Sequence, residues 1–312
     1  MEVSIRELQE SELPAADRVF KLAFGTFIGL PDPMEFGGDA NFIRGRWHAN
    51  PSSAFAAIAD GIIGSNLATR WGSCASFGPL SVHPDWWNQK IAQRLIEPVV
   101  ECFDTWNIHQ AGLFTFPNSS KHHALYQKFG FWQRFLTVIM AKTVQQPQSV
   151  PQVIRYSQMD REQRSSILKE GFTLTDNIYP GLDLSPEIIT VHTQKLGDTV
   201  FFGDEKGLAG LAVCHCGAGT EAGGDTCYVK FGAVRLGQNV EERFEQLLDL
   251  CETLTVQMSM SRLVAGVNTS HHEAYRRMIA RDFRTEITGV AMHRPNQSGY
   301  HRPDIFVLDD WR

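Results

Sequence analysis

No apolar run in this 312-residue chain approaches the roughly 18 residues that a bilayer-crossing helix needs. The opening, Met1-Glu2-Val3-Ser4-Ile5-Arg6-Glu7-Leu8, alternates charge with aliphatics where a secretion signal would be uniformly apolar. The chain is therefore expected to work in the cytoplasm, away from membranes. Cysteine is sparse too: the six residues Cys74, Cys102, Cys214, Cys216, Cys227 and Cys251 are scattered, which favours reduced thiols over a disulfide framework. Only Cys214-His215-Cys216 forms a cluster. Positions 214 and 216 share a face of an extended strand, but a metal needs two further ligands and no second pair follows at a usual spacing, so buried thiols and no metal are expected. A basic excess is also missing. The formal net charge of −6 argues against a nucleic-acid-binding surface, while leaving room for a local basic patch that meets one small phosphorylated ligand.

The composition that remains is globular, with 43% hydrophobic and 21% charged residues, over a length that suits two domains of about 150 residues each. Hydrophobic periodicity breaks at Val144-Gln145-Gln146-Pro147-Gln148-Ser149-Val150-Pro151-Gln152, where Gln and Pro displace the pattern. This predicts domains at 1–144 and 153–312 joined by a linker at 145–152. After the break, Val153-Ile154-Arg155-Tyr156 resembles the opening Val3-Ser4-Ile5-Arg6, and a polar-capped helical pattern follows each. An internal repeat is the natural expectation.

In the first half, 53–59 and 62–69 read as strands joined at Asp60-Gly61, a tight-hairpin signal. A third strand is predicted over 74–82. Ile91, Leu95, Val99, Cys102 and Phe103 fall mostly at spacings of three and four and predict a helix with one apolar face, bent by the internal Pro98. Strand 110–116, helix 121–129 and strand 131–140 complete the unit. The second half repeats this order with a hairpin over 198–203 and 208–216, strand 227–236, helix 240–257, strand 262–267 and helix 272–280. Val82 and Val234 lie 152 positions apart, Phe131 and Phe283 also 152, and Asn118 and Asn268 150. The fold class read from this pattern is a duplicated, mixed α/β unit, each copy a mostly antiparallel sheet flanked by helices.

Two segments carry the chemistry: Leu80-Ser81-Val82-His83-Pro84-Asp85-Trp86-Trp87-Asn88-Gln89-Lys90-Ile91-Ala92-Gln93-Arg94-Leu95 and Asn118-Ser119-Ser120-Lys121-His122-His123-Ala124-Leu125-Tyr126-Gln127-Lys128-Phe129-Gly130-Phe131. Together they resemble the GNAT superfamily of N-acetyltransferases. That pattern runs Val-x-Pro at a strand end, a phosphate-binding turn, a helix, a strand, then Asn, Ala-x-Tyr or Leu-Tyr, and Gly-Phe. The likeness is sharp from about Leu80 to Phe131 and diffuse beyond. It implies a tandem pair of GNAT-like domains that uses acetyl-CoA as co-substrate. The N-terminal copy would transfer the acyl group to a primary amine of a small molecule or peptide by direct attack in a ternary complex.

Physical logic stands beside the resemblance. A turn feeding a helix presents unpaired N–H groups and a positive dipole end, which is where a pyrophosphate binds without a dedicated side chain. Gln89, Lys90, Ile91 and Ala92 should supply these donors. The family turn, Gln/Arg-x-x-Gly-x-Gly/Ala, falls on Trp87 to Ala92, so Trp87 replaces a polar residue and Lys90 replaces a glycine. Lys90 either swings outward and adds charge for the phosphates or weakens binding through its Cβ. The resemblance assigns the backbone of Leu80, Ser81 and Val82 to the pantetheine arm, lying like an added strand. It assigns Tyr126 to the leaving thiolate as acid or hydrogen-bond donor. Tyr126 also fits a plain core face with Leu125 and Phe129. Asn118 either contacts the cofactor or caps the helix, capping being the commoner role.

No carboxylate lies in 74–82 to act as a base, and His83, His122 and His123 are expected to serve hydrogen bonding rather than catalysis. The acceptor groove implied by the resemblance is the stretch 22–50, whose Phe24, Phe27, Phe36, Phe42 and Trp47 suit an apolar or flat acceptor, or else the core. The second half looks degenerate: Glu241 and Glu242 would repel a pyrophosphate at the helix start, and Met278 stands where Tyr126 stands in the first copy. The terminal run 299–312 has a strand core and an aromatic, acidic tail that either docks across the domain interface or, as the commoner case, is solvated. The sequence leaves the oligomeric state open, a homo-oligomer included. A non-catalytic CoA-binding or scaffold module is the rival reading.

Overall fold

The computed structural model describes residues 2–145 and 153–312; most of the expected linker, 146–152, lies outside the described residues. The first half runs β1 (Ser4–Glu7), α1 (Leu13–Ile28), α2 (Ile43–Ala49), β2 (Ala54–Ile58), β3 (Ile62–Trp71), β4 (Cys74–Phe77), β5 (Ser81–Val82), α3 (Ile91–Thr105), β6 (Gln110–Thr115), α4 (Ser120–Gln127) and β7 (Trp132–Thr143). The second half runs β8 (Ile154–Arg155), α5 (Arg161–Ile178), α6 (Ser185–Thr193), β9 (Gly197–Asp204), β10 (Gly207–Gly217), β11 (Gly223–Val234), α7 (Val240–Gln257), β12 (Arg262–Asn268), α8 (His272–Ala280), β13 (Arg284–Arg294) and β14 (Val307–Leu308). Among the described residues, no helix is long and apolar enough to cross a membrane.

The helices follow their sequence signals. Leu13, Ala16, Val19, Phe20 and Ala23 give α1 one buried stripe, and Gly29 ends the helix at φ 76, a left-handed conformation that costs a glycine nothing. In α3 the buried face is Ile91, Leu95, Ile96, Val99 and Phe103, and the helix continues through Pro98. Proline removes one backbone bond and crowds the preceding turn. One residue along, the buried Asn66 side chain donates to the Leu95 carbonyl at 3.1 Å.

Sheet pairing departs from two self-contained halves. The strands order as β1-β2-β3-β4-β6-β13-β7-β12-β11-β10-β9-β8, one continuous sheet. The strand that closes the first half, β7, lies beside β12 of the second, and β13 lies beside β6. Each half therefore completes its sheet with a strand of the other. Side chains specify this exchange. Phe114 of β6 lies over Gly289 of β13, where a Cβ would fall 2.2 Å from the ring. The buried Asn268 of β12 donates to Thr137 Oγ1 of β7 at 3.0 Å. The first-half core then mixes Ile96, Val99, Phe103, Leu113 and Phe131 with Val290 and Met292 of β13. Burying each such side chain contributes about 1.5–3 kcal/mol, so the two halves share stability.

Two further sequence expectations are corrected. The strand predicted over 74–82 is broken at Gly78-Pro79-Leu80 into β4 and β5. The terminal tail is packed rather than solvated: Tyr300, Ile305, Phe306, Val307, Leu308, Asp309, Asp310 and Trp311 are all buried.

Candidate active site

The break between β4 and β5 opens the site. β4 pairs with β6 in parallel only as far as Ser76 opposite Gly112. Beyond that, β5 turns onto β3, with Val82 opposite Gly64 and Ser81 opposite Ser65. One edge of β5 is thereby satisfied, and the other faces a cleft of about 850 Å³. Leu80, Ser81 and Val82 form one wall, Leu113 to Phe116 the other, and Tyr126 of α4 lines the space between them. Arg46 fixes the break by donating to the Gly78 carbonyl at 2.8 Å.

At one end of the cleft lies the start of α3. Asn88 and Lys90 both sit in the left-handed region, at φ 64 and 62. Among the described residues no protein acceptor meets the N–H groups of Gln89, Lys90, Ile91, Ala92 or Gln93, so five main-chain donors and the positive end of the helix converge there. Lys90 takes the backbone conformation that glycine would, and its side chain is exposed. Trp87 donates from Nε1 to the Val82 carbonyl at 2.7 Å and ties the turn to β5. Lys121 reaches across from α4 to Asn88 Oδ1 at 2.8 Å and lies 5.7 Å from the Trp87 ring, adding a cation beside the free amides.

Tyr126 is buried and packs edge-on against Phe77 with ring centroids 5.9 Å apart, with Thr115 beside it in the lining of the cleft. Burial pushes its pKa up to about 12, with Thr115 working the other way. The phenol therefore keeps its proton at neutral pH. His122, one helical turn earlier on the same face, packs against Phe27 with centroids 4.8 Å apart. Burial lowers its pKa, so it is neutral, and its Nδ1 is enclosed. His123 bonds the Phe116 carbonyl, and His83 accepts from the Asp85 amide.

The structure brings Leu80, Ser81, Val82, Lys90, Ile91, Ala92 and Tyr126 to one cleft. Gln89 is exposed and lies outside the lining, although its amide is free. Asn118 is exposed and also outside the lining, and the α4 cap is Ser119, which accepts from the His122 amide, so the capping reading of Asn118 is corrected. Phe24, Phe27, Phe36 and Phe42 do line the cleft, whereas Trp47 donates to the Leu8 carbonyl and packs in the core behind α1. Sequence reasoning missed Thr115, Arg46, Ile139 and Ile287. Ile287 reaches the cleft only because β13 crosses over, which no local pattern announces.

A buried charge network joins the two halves behind this wall. Arg46 forms a bidentate pair with Glu221 at 2.8 Å, and Lys230 bonds Glu221 at 2.8 Å and lies 3.3 Å from Glu187. Burial alone would raise Glu187, but Lys230 and His215 hold it down to about 2. Charges this deep require pairing.

The second half builds the same splay and fills it. β11 pairs with β12 at Thr226 to Val229, then with β14, Gly232 opposite Leu308 and Ala233 opposite Val307. Chain occupies the position that is cleft in the first half. Asn239 repeats the left-handed turn at φ 60, but Glu241 in the first turn of α7 pairs with Arg277. Met278 is fully buried in the core that includes Phe306.

Residues 17–131 match the model of the acetyltransferase (GNAT) family. No curated protein matches by sequence. Among solved structures, an acetyltransferase candidate from Pyrococcus horikoshii shares the fold at TM-score 0.67 and 12% identity, over 99% of this chain and 95% of that one. The GCN5-related N-acetyltransferase from Sphaerobacter thermophilus aligns at 0.60 and 12%, over 93% of this chain and 95% of that one. That from Anabaena variabilis aligns at 0.51 and 12%, over 94% and 72%. At such identities the likeness speaks for the fold over nearly the whole chain and leaves the acceptor unassigned.

Proposed function

We propose that the cleft of the first half, whose residues 17–131 match the acetyltransferase (GNAT) family model, transfers an acetyl or related acyl group from its CoA thioester to a primary amine. The observation that carries this reading is the convergence, on one cleft, of a strand edge turned away from β3, five unpaired amides at a helix start and a buried phenol.

The roles follow from chemistry. The amides of residues 89–93, with Lys121 beside them, suit a diphosphate, because helix-start donors and a cation stabilise its charge together. The edge of Leu80 to Val82 turned away from β3, apart from the Val82 carbonyl that Trp87 already engages, suits the amides of a pantetheine arm, which pair as a strand would. That arrangement aims the thioester at Tyr126. An amine adds to the carbonyl carbon, the C–S bond breaks, and the thiolate receives a hydrogen bond and then a proton. A phenol at about 12 is a weaker acid than a thiol at about 8.5. Tyr126 therefore acts first as hydrogen-bond donor, and its proton moves only as the added amine surrenders one. Gln89 and Asn118 are assigned no side-chain contact in this account. The second half acts as a buttress: Glu221 holds Arg46, which holds the Gly78 carbonyl at the splay.

The test is Tyr126→Phe. Single-turnover thiol release with acetyl-CoA and an accepted amine should slow about 10- to 100-fold while the calorimetric Kd for acetyl-CoA stays within a factor of about two. Unchanged turnover would remove Tyr126 from the mechanism.

A further inference from the structure

Resting on the acyl-transfer reading of the cleft, we infer that the acceptor is a monoamine carried on an apolar, ring-sized body with no second positive charge. The chamber beside the Tyr126 hydroxyl is walled by rings. Phe24 and Phe27 come from α1, Phe36 and Phe42 from the connection to α2, and Phe116 from the end of β6. Phe24 and Phe36 stand with centroids 5.3 Å apart, and Phe27 and Phe116 4.8 Å apart. Such walls take up a flat apolar group with little reorganisation.

Charge narrows the class further. Among the described lining residues there is no aspartate and no glutamate side chain, and of the cations that line the cleft Arg46 and Arg312 are already paired with Glu221 and Asp310, leaving Lys90, Lys121 and Lys128. Lys90 and Lys121 stand at the turn before α3, where CoA phosphates would lie, and Lys128 follows the end of α4. A diamine or polyamine would have to bring a second ammonium past these cations and leave it dehydrated without a counter-ion. A ring face returns about 2 kcal/mol or more to a desolvated cation, whereas dehydrating an ammonium without a counter-ion costs several kcal/mol. With no aspartate or glutamate side chain among the described lining residues to hold the reacting ammonium, the amine reacts in its neutral form. The step balances as R–NH2 plus acyl–S–CoA giving R–NH–acyl plus HS–CoA: the C–N bond forms, the C–S bond breaks, and one amine proton ends on sulfur.

The experiment compares kcat/KM for 2-phenylethylamine, cadaverine and spermidine with acetyl-CoA, alongside calorimetric acetyl-CoA binding, in the full chain and in Phe27→Glu. Phe27 is 38% exposed, so this variant tests the chamber without opening the core. The ring amine should exceed both polyamines by about 100-fold, and Phe27→Glu should move the ratio about 10-fold towards cadaverine. Equal or better use of the polyamines, or acetyl-CoA binding without transfer to the ring amine, overturns the acceptor class and leaves the donor site standing. Loss of acetyl-CoA binding in the unaltered protein overturns both readings.

Discussion

Trp311 lies against Gly112 of β6, so close that a Cβ on that glycine would fall 1.4 Å from the indole Cε3. On the equivalent strand β12, Gly266 receives Asp310, with a Cβ there 2.3 Å from that of Asp310. Consecutive residues of one segment thus rest on equivalent strands of the two copies. The segment runs from the filled splay at β14 to Arg312, which lines the cleft. Cleft and filled splay are therefore two ends of one packing arrangement.

Substituting Gly112→Ala should push the indole off its seat. Overpacking of this kind costs about 1–3 kcal/mol, read as a lower Tm in thermal unfolding. In a Trp311→Ala background the same change should cost much less, because the clash has gone. Equal costs in both backgrounds would show that the two residues do not contact.

The phosphate turn makes a paired prediction. Lys90→Gly keeps every amide and relieves a left-handed conformation that costs an L-residue about 1 kcal/mol, so acetyl-CoA affinity should stay within a few-fold. Lys121→Glu puts a carboxylate beside the free amides, and Kd should rise about 10-fold or more at low salt, with a smaller penalty as ionic strength increases. Calorimetry at two salt concentrations reads both.

Stability should fall in acid. His271, His293 and His301 are fully enclosed, and burial first, with neighbouring charges second, holds each near about 3. Unfolded histidine takes up a proton near pH 6.5, so stability is full above that pH and drains between about 6.5 and 3. Asp309 beside them is raised by burial and works in the opposite sense, but one carboxyl faces three imidazoles. Scanning calorimetry should show Tm dropping from pH 7.5 to 5. His301→Gln, which removes the partner of His293 at 2.9 Å, should shallow that slope while lowering Tm at pH 7.5.

Much of this was legible in the chain. Periodicity placed α7 and α8 at their observed ends, and the Asp60-Gly61 signal gave the β2–β3 hairpin. Tyr126, the β5 edge and the α3 turn followed from their motifs and share one cleft. The strand exchange was not legible, because β7 and β13 have corresponding places in the repeat and their partners are settled by long-range contacts such as Phe114 on Gly289. The Phe306-Val307-Leu308 triplet announced a strand but not its place, since Gly232 and Ala233 lie far away in sequence. Lys90 was readable as a departure from glycine, yet only the backbone shows that it accepts the glycine-like conformation.

The most direct measurement is the stoichiometry of acetyl-CoA binding to the whole chain by isothermal titration calorimetry. One equivalent is expected, bound in the first-half cleft, because β14 already pairs with the strand edge that would receive a second. Two equivalents would mean that the segment does not fill the second splay. None would mean that the free amides before α3 and the open edge of β5 are not a CoA site.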